Sequence, residues 1–202
     1  MLKKKTKAQE ICDQFGKGFR PVHEVQKAFA SRPIPDEALC ALLWEYKDRG
    51  KKGYDLTERF FNLFRAEFPE LTIIGPERAG RDILLKEVFA DYPNPNRPID
   101  FVVKKDESIL AIGLARYDGD RGGAQEDDRT GGYANCANEI LRYAKAKKLN
   151  TKILFVNDGP GLLLGSMWHD YAKLEQSWQS KIMVTTLRMV AERLTTDWLG
   201  AK

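Results

Sequence analysis

Long hydrophobic runs, cysteine and histidine are scarce in this chain, and each shortage excludes a class of protein. No segment approaches the roughly 20 consecutive apolar residues that a membrane-spanning helix needs. The first residues, MLKKKTKAQE, are basic but lack the apolar stretch of a secretory signal. Three widely spaced cysteines and two histidines show no metal-binding spacing. We therefore expect a cytoplasmic protein in a reducing compartment, without membrane association.

Residues of one charge sign are likewise not in large excess. The 202 residues include 33 basic and 29 acidic ones, which gives a net charge of +4. Hydrophobic residues make up 43% of the chain, which is enough for a folded core and excludes a disordered protein. The small positive charge permits a nucleic-acid partner but does not by itself indicate one.

Residues 1–50 predict a helical N-terminal region. Asp36 can cap a helix, and the apolar positions after it recur at helical spacing: Leu39, Leu42, Leu43 and Tyr46. The charged segment that follows, residues 48–53, contains two glycines and predicts a turn. We therefore expect a boundary near residue 50, followed by one compact α/β unit at residues 51–202.

The rest of the chain alternates helical and strand patterns. A helix that begins near Asp55 and ends at Pro69 should carry one apolar side made of Leu56, Phe60, Phe61, Leu63, Phe64 and Phe68. Strands are predicted at residues 71–74, 99–103, 109–115, 152–156 and 182–186, and helices at residues 133–148, 162–174 and 187–199. This order predicts an α/β fold with a mixed central sheet flanked by helices.

The second and third predicted strands form a β-hairpin that brings a carboxylate close to a cation. Asp100 begins the first strand of the hairpin, opposite residues 112–113. Counting by twos, Arg116 and Asp118 share one face of the second strand. Carboxylate oxygens in this arrangement suit Mg²⁺, which can polarise a phosphate. The structural alternative is that Asp100 satisfies a backbone group of the turn or pairs with Arg97.

A polar segment at residues 116–132 predicts a loop after the hairpin. Arginine and glutamine side chains can read base edges through paired hydrogen bonds, and carboxylates can accept a hydrogen bond from cytosine. The segment carries such groups at Arg121, Gln125, Asp127, Asp128 and Arg129. The alternative is a solvated charged loop with no binding role.

Taken together, these residues resemble the core of type II restriction endonucleases of the PD-(D/E)XK nuclease superfamily, over about residues 54–186. In that family Pro-Asp opens one strand, and the next strand carries an acidic residue, any residue and lysine. Pro98-Ile99-Asp100 is similar to the first motif with one residue inserted, and Leu114-Ala115-Arg116 stands at the second. Leucine thus replaces the acidic residue, and arginine replaces lysine. The segment GGYANCANEI is similar to the start of the helix that reaches the major groove in several such enzymes.

The resemblance implies Mg²⁺-dependent hydrolysis of double-stranded DNA at a specific site. Asp100 and a second carboxylate would bind the metal, and Arg116 would supply a fixed positive charge near the scissile phosphate. Proximity favours Asp118, as a metal ligand, and Glu126 for the second carboxylate. The other candidates are Glu58, Glu87 and Glu139. The implied DNA contacts are Arg121, Gln125, Asp127, Asp128, Arg129 and Asn135.

The resemblance also implies the partners of a restriction enzyme. A palindromic DNA site would be bound by a homodimer, because twofold protein symmetry matches the symmetry of the site. A cognate DNA methyltransferase would complete the system. Other functions stay open at this point: a non-catalytic DNA-binding protein, a repair or junction-resolving nuclease on the same core, and an inactive nuclease.

Overall fold

The computed structural model describes residues 13, 20–31, 37–78, 80–119, 124–163 and 166–201. The chain divides into two compact units, Met1–Leu43 and Trp44–Lys202. In the first unit, helix α1 spans Val22–Ala30. Helix α2 spans Glu37–Glu67, so its first turns belong to the first unit and the rest to the second.

The second unit also holds seven strands and five further helices within the described residues. The strands are β1 (Thr72–Ile74), β2 (Ile83–Leu84), β3 (Pro98–Ile99), β4 (Phe101–Lys105), β5 (Ser108–Tyr117), β6 (Lys152–Asp158) and β7 (Ile182–Thr185). The helices are α3 (Leu85–Val88), α4 (Ala124–Ala146), α5 (Met167–Gln176), α6 (Val190–Arg193) and α7 (Thr196–Leu199), with 3-10 turns at Pro160–Leu163 and Leu187–Met189. No helix in this part of the chain is both long enough and apolar enough to cross a membrane.

Five strands form one mixed sheet in the order β1-β4-β5-β6-β7, and β2 pairs with β3 in a separate two-stranded sheet. β4 is antiparallel to both β1 and β5, whereas β6 and β7 continue the sheet in parallel from β5. The predicted α/β fold with a mixed sheet flanked by helices is confirmed. Residues 153–156 of β6 are all buried, as expected for a strand with helices on both faces.

Each face of the five-stranded sheet carries its own apolar core. On one face, Phe60 and Phe61 of α2 pack on Phe101 of β4, with ring centroids 5.1 and 5.9 Å apart. On the other face, Ile140 of α4 and Tyr171 of α5 are buried in a second cluster. Successive residues of a strand point to opposite faces, so alternate positions of β4, β5 and β6 supply the two clusters.

The turn predicted at residues 48–53 is wrong, because the backbone there is helical. Each of the two glycines costs a helix interior about 1 kcal/mol relative to alanine. The buried end of α2 outweighs this cost, since fully burying one such apolar side chain contributes about 1.5–3 kcal/mol. Its buried residues are Leu56, Phe60, Phe61, Phe64 and Phe68. Leu63, which the sequence predicts on the same apolar side, is 41% exposed because it lies off this stripe.

The loop predicted at residues 116–132 is wrong at residues 116–117 and 124–132, whereas residues 118–119 lie between elements and residues 120–123 lie outside the described residues. β5 continues to Tyr117, and α4 begins at Ala124, nine residues before the predicted start at Tyr133. Gly131 and Gly132 are therefore helical, and their exposed positions leave the packed part of α4 unaffected. The last predicted helix is divided, because Thr195 is extended and caps α7 by accepting a hydrogen bond from the Trp198 N–H at 3.0 Å.

Candidate functional site

Asp100 stands at the bend between β3 and β4, and its carboxylate is held against β5. The Asp100 N–H donates to the Gly113 carbonyl at 3.1 Å. The predicted register, with Asp100 opposite residues 112–113, is wrong by one residue, because a β-bulge between Val103 and Lys104 shifts the ladder so that Phe101 pairs with Gly113. Its Oδ2 accepts a hydrogen bond from the Ala115 N–H at 2.7 Å. Of the two structural alternatives, the backbone contact is therefore present. The pairing with Arg97 is wrong, since Arg97 lies 2.5 Å from Glu139.

The Asp100 carboxyl is largely removed from water, and this burial raises its pKa. The hydrogen bond from Ala115 lowers the pKa in part, and the negative charge of Asp82 raises it further. Ile83 pairs with Ile99 in the antiparallel β2–β3 ladder, so the next step outward brings Asp82 opposite Asp100. Sequence reasoning missed Asp82, because a two-residue strand has no readable period.

Arg116 and Asp118 form an ion pair at the end of β5. The Arg116 Nε lies 2.9 Å from Oδ1 of Asp118, whose side chain is fully buried, while that of Arg116 is 35% exposed. The Asp118 N–H donates to the Asp158 carbonyl at 2.7 Å. Gly159 has a φ of +115° and leaves no space for a Cβ beside the Asp118 carbonyl. Asp118 is therefore fixed in position, and a partly accessible guanidinium balances its charge.

Two tyrosines of the helical layer border this ion pair. The Tyr171 hydroxyl lies 3.5 Å from Oδ2 of Asp118, and the rings of Tyr133 and Tyr171 stack with centroids 6.0 Å apart. Burial raises the pKa of Tyr133, and smaller effects come from Arg116, which lowers it, and Asp100, which raises it. The Tyr133 hydroxyl is thus within electrostatic range of both the Asp100 carboxylate and the Arg116 guanidinium.

Asn157 lies beside Arg116 in the parallel β5–β6 pairing. By alternation along β6 it shares a face with Phe155, whose ring stacks on Tyr133 at a centroid distance of 4.6 Å. Asn157 is completely buried, yet within the described part of the chain neither its Oδ1 nor its Nδ2 has a hydrogen-bond partner. Buried polar atoms of this kind are rare and point to strain, a functional role or a bound water. Sequence reasoning passed over this residue because it only extends a buried strand.

Several of the predicted second carboxylates already have an arginine partner. Besides Asp118 with Arg116, these are Glu58 with Arg78 at 2.6 Å, Glu87 with Arg81 at 2.5 Å and Glu139 with Arg97 at 2.5 Å. A cation at any of them would compete with a guanidinium. Across the described ranges, no three His, Cys, Asp or Glu side chains form a metal-binding group. Asp82 and Asp100 offer two carboxylates that form no ion pair with a described arginine or lysine.

The predicted DNA-contacting residues fall mainly on α4. Asn135 is exposed on this helix. The first turns of α4 carry the other predicted contacts and the candidate Glu126, and their side chains lie outside the described residues: Gln125, Glu126, Asp127, Asp128 and Arg129. Arg121 also lies outside the described residues. The structure therefore brings Asp100, Arg116 and Asp118 into one region and adds Asp82, Tyr133 and Asn157 to it.

Comparison with known proteins adds no family to this geometry. No protein-family model, no curated protein and no solved structure matches the chain.

Proposed function

We propose that this chain is a site-specific endonuclease of double-stranded DNA that uses Mg²⁺, of the type II restriction class. The observation that carries the proposal is the half-buried Asp100 carboxylate, held at the Ala115 N–H beside Arg116. The order of elements supports it as well: a helix, a strand that follows an aspartate, an apolar strand that contains Arg116, a second helix and a buried strand. This is the order that the resemblance to the PD-(D/E)XK superfamily implies.

The donor set at Asp100 fits a divalent cation. A half-buried carboxylate beside a second carboxylate is unfavourable by itself, and a cation bound between Asp100 and Asp82 would stabilise both charges. Bound Mg²⁺ would supply an activated water and neutralise charge on a phosphate. We propose Asp82 as the second ligand, with Asp118 and Glu126 as its competitors for that role.

Arg116 contributes a permanent positive charge. Asp118 holds the Nε of its guanidinium, and the two Nη groups remain as donors for a phosphate oxygen. Such a donor stabilises the negative charge that develops during phosphodiester hydrolysis. A guanidinium cannot accept a proton at any relevant pH. Arg116 would therefore position the phosphate and stabilise its negative charge, and it would not act as a general base.

The proposal extends to DNA recognition and partners. The first turns of α4 and the segment before it would contact the DNA, with Asn135 further along the helix. The residues proposed for these contacts are Arg121, Gln125, Asp127, Asp128, Arg129 and Asn135. A homodimer would bind a palindromic site, and a DNA methyltransferase would protect the same site in the host.

The test is to incubate the purified protein with plasmid and phage DNA in the presence of Mg²⁺. We expect discrete fragments from the wild type and a loss of cleavage of about 100-fold or more in Asp100→Asn, the order of effect seen when charge stabilisation is removed from an active site. Asp106→Asn is the matched control, because this substitution removes the same charge at the exposed turn of the same hairpin. DNA binding in gel-shift assays should survive in both variants.

Each other result has a defined meaning. Intact DNA over a range of divalent ions, together with a specific gel shift, favours a DNA-binding protein without catalysis. Cleavage of branched substrates but not of linear ones favours a junction nuclease. Full cleavage by Asp100→Asn removes Asp100 from the mechanism. Calorimetric titration of Mg²⁺ and Mn²⁺ into Asp82→Asn, Asp118→Asn and Glu126→Gln identifies the second ligand as the residue whose loss weakens metal binding.

A further inference from the structure

A separate cavity of about 590 Å³ lies at the far end of the parallel strands from Arg116 and Asn157. It is an open pocket bordered by the C-terminal end of α4, the segment before β6 and the turn between α5 and β7. Small-molecule sites in proteins usually have volumes of about 300–1,000 Å³. β6 separates this cavity from Asn157 by about 20 Å, at about 3.3 Å per strand residue. The cavity is therefore not part of the candidate nuclease site.

The lining of the cavity combines an apolar wall with positive charge. The apolar wall is formed by Leu141, Ala144, Leu149 and Trp178, and the cations are Lys145, Lys148 and Lys181. No carboxylate of the described residues lines the cavity. None of the three lysines pairs with a described acidic residue, and the Lys181 ammonium donates to the side-chain oxygen of Asn150. Trp178 is held in orientation, because its indole N–H donates to Oδ1 of Asn138 at 2.6 Å.

The backbone on one side of the cavity adopts a conformation that favours glycine. Lys148 follows the last turn of α4 with a φ of +57°. Its N–H donates to the Lys145 carbonyl at 3.1 Å, and the Leu149 N–H donates to the Ala144 carbonyl at 2.8 Å. This is the Schellman pattern of helix termination, in which glycine usually occupies the left-handed position. A lysine there costs conformational energy that glycine would not.

The facing turn shows the same feature. Gln179 and Ser180 have φ values of +34° and +63°, and the Lys181 N–H closes the turn by donating to the Trp178 carbonyl at 2.8 Å. Two consecutive positive φ angles are typical of a turn built from asparagine and glycine. Of the other described non-glycine residues with positive φ, Lys148 and Gln179 line this cavity, and Ser180 lies between the lining residues Gln179 and Lys181. Strained backbone conformations are concentrated at ligand-binding and active sites, where they position side chains for function.

We propose that this cavity binds a nucleoside monophosphate, a small anion with a planar apolar group. Its phosphate would lie among Lys145, Lys148 and Lys181, and its base would pack on Trp178. The three ammonium groups outweigh the partial negative charge at the C-terminal end of α4. Stacking on an aromatic side chain tolerates any base, so the four common nucleotides should bind with similar affinity.

The test is calorimetric titration of the full chain with AMP, GMP, CMP and UMP. We expect the wild type to bind all four nucleotides. Lys148→Gly should bind them about threefold to tenfold more weakly, because it loses one partly exposed charge-assisted contact. The same variant should unfold at a higher temperature, because glycine relieves the left-handed conformation at position 148. Weaker binding by a more stable protein cannot be explained by unfolding.

Two control variants separate this cavity from the rest of the molecule. Lys147→Gln removes a neighbouring lysine that pairs with Asp91 outside the cavity, and it should bind nucleotides like the wild type. Asp100→Asn should also bind them normally, so failure of the nuclease proposal leaves this one intact.

Several results would overturn the proposal. These are absence of binding by every nucleotide, unchanged affinity in both Lys148→Gly and Lys145→Gln, and equal affinity for inorganic phosphate or for adenosine alone. A short single-stranded oligonucleotide can also be titrated into the same two proteins. If it binds the wild type more tightly than AMP does and loses that affinity in Lys148→Gly, the ligand of the cavity is a nucleic-acid strand and not a mononucleotide.

Discussion

Replacing Asn157 by leucine should make this protein more stable, although the change puts an apolar side chain where a polar one stands. Leucine has the same branching as asparagine, so it can occupy the same space with little rearrangement. In the native chain, both polar atoms of the Asn157 side chain are buried without a described hydrogen-bond partner. Removing them removes a cost of folding, because in the unfolded chain both atoms are solvated by water.

The magnitude follows from two opposing effects. Each buried unsatisfied polar group costs about 1–3 kcal/mol, so removing two gives about 2–6 kcal/mol. The larger leucine methyl groups in a packed interior cost about 1–3 kcal/mol. The expected net gain is therefore about 2 kcal/mol, which in a chain of this size raises the unfolding temperature by about 4–8 °C.

The assay is urea denaturation followed by circular dichroism, with the midpoint and the slope compared between variant and wild type. Asn138→Leu is the matched control, because the Oδ1 of Asn138 accepts the Trp178 indole hydrogen bond and its loss should destabilise the protein. A lower unfolding midpoint in Asn157→Leu would refute the reasoning, since it would mean that the Asn157 amide is bonded to buried water. If Asn157 also serves the proposed nuclease, the stabilised variant should cleave DNA more slowly.

Three other perturbations have defined outcomes. Asp100→Asn should raise the free energy of unfolding at pH 7, because burial raises the pKa of Asp100 and the ionised form costs stability. This gain should shrink as the pH falls through the raised pKa and vanish below the unfolded value of about 3.9, which urea titrations at several pH values would reveal. Gly113→Ala should cost about 3 kcal/mol in thermal unfolding, because its Cβ would lie 1.9 Å from Phe101 Cε2, and Phe101→Leu should restore part of the loss. Burial raises the pKa of the Cys136 thiol, so its peptide should resist alkylation at pH 8 in native buffer and react in urea, as peptide mass measurements would show.

The sheet could be predicted from the sequence because its strands have strong local signals. The apolar runs around Val102, Ile112 and Phe155 mark three adjacent strands, and their order along the chain implies the hairpin. These features depend on residues close together in the sequence. The register at Asp100 differs by one residue from the predicted one, because the sequence does not mark the β-bulge between Val103 and Lys104.

The rest of the candidate site depends on contacts that the sequence does not encode locally. Asp82 meets Asp100 through a two-residue ladder, and such a ladder carries no hydrophobic period. The first turns of α4 are polar and are followed by Gly131 and Gly132, so helix propensity predicts a loop there. The segment is helical in the structure because it continues the packed remainder of α4. Asn157 follows four apolar residues of β6, and its lack of a described hydrogen-bond partner results from the packing of the strand, which the sequence does not show.

The Asp100–Ala115 contact and the Tyr171–Asp118 contact of the candidate site should form at different stages of folding. Asp100 and the Ala115 N–H are 15 residues apart in one hairpin, whereas Tyr171 and Asp118 are 53 residues apart. Hairpins form within about 1–10 μs, and loop closure becomes more costly in entropy as the chain between two contacts lengthens. We therefore expect the Asp100–Ala115 contact to be in place in the folding transition state. The environment of the Arg116–Asp118 pair follows only when β6 and α5 have docked, so mutations there should mainly accelerate unfolding.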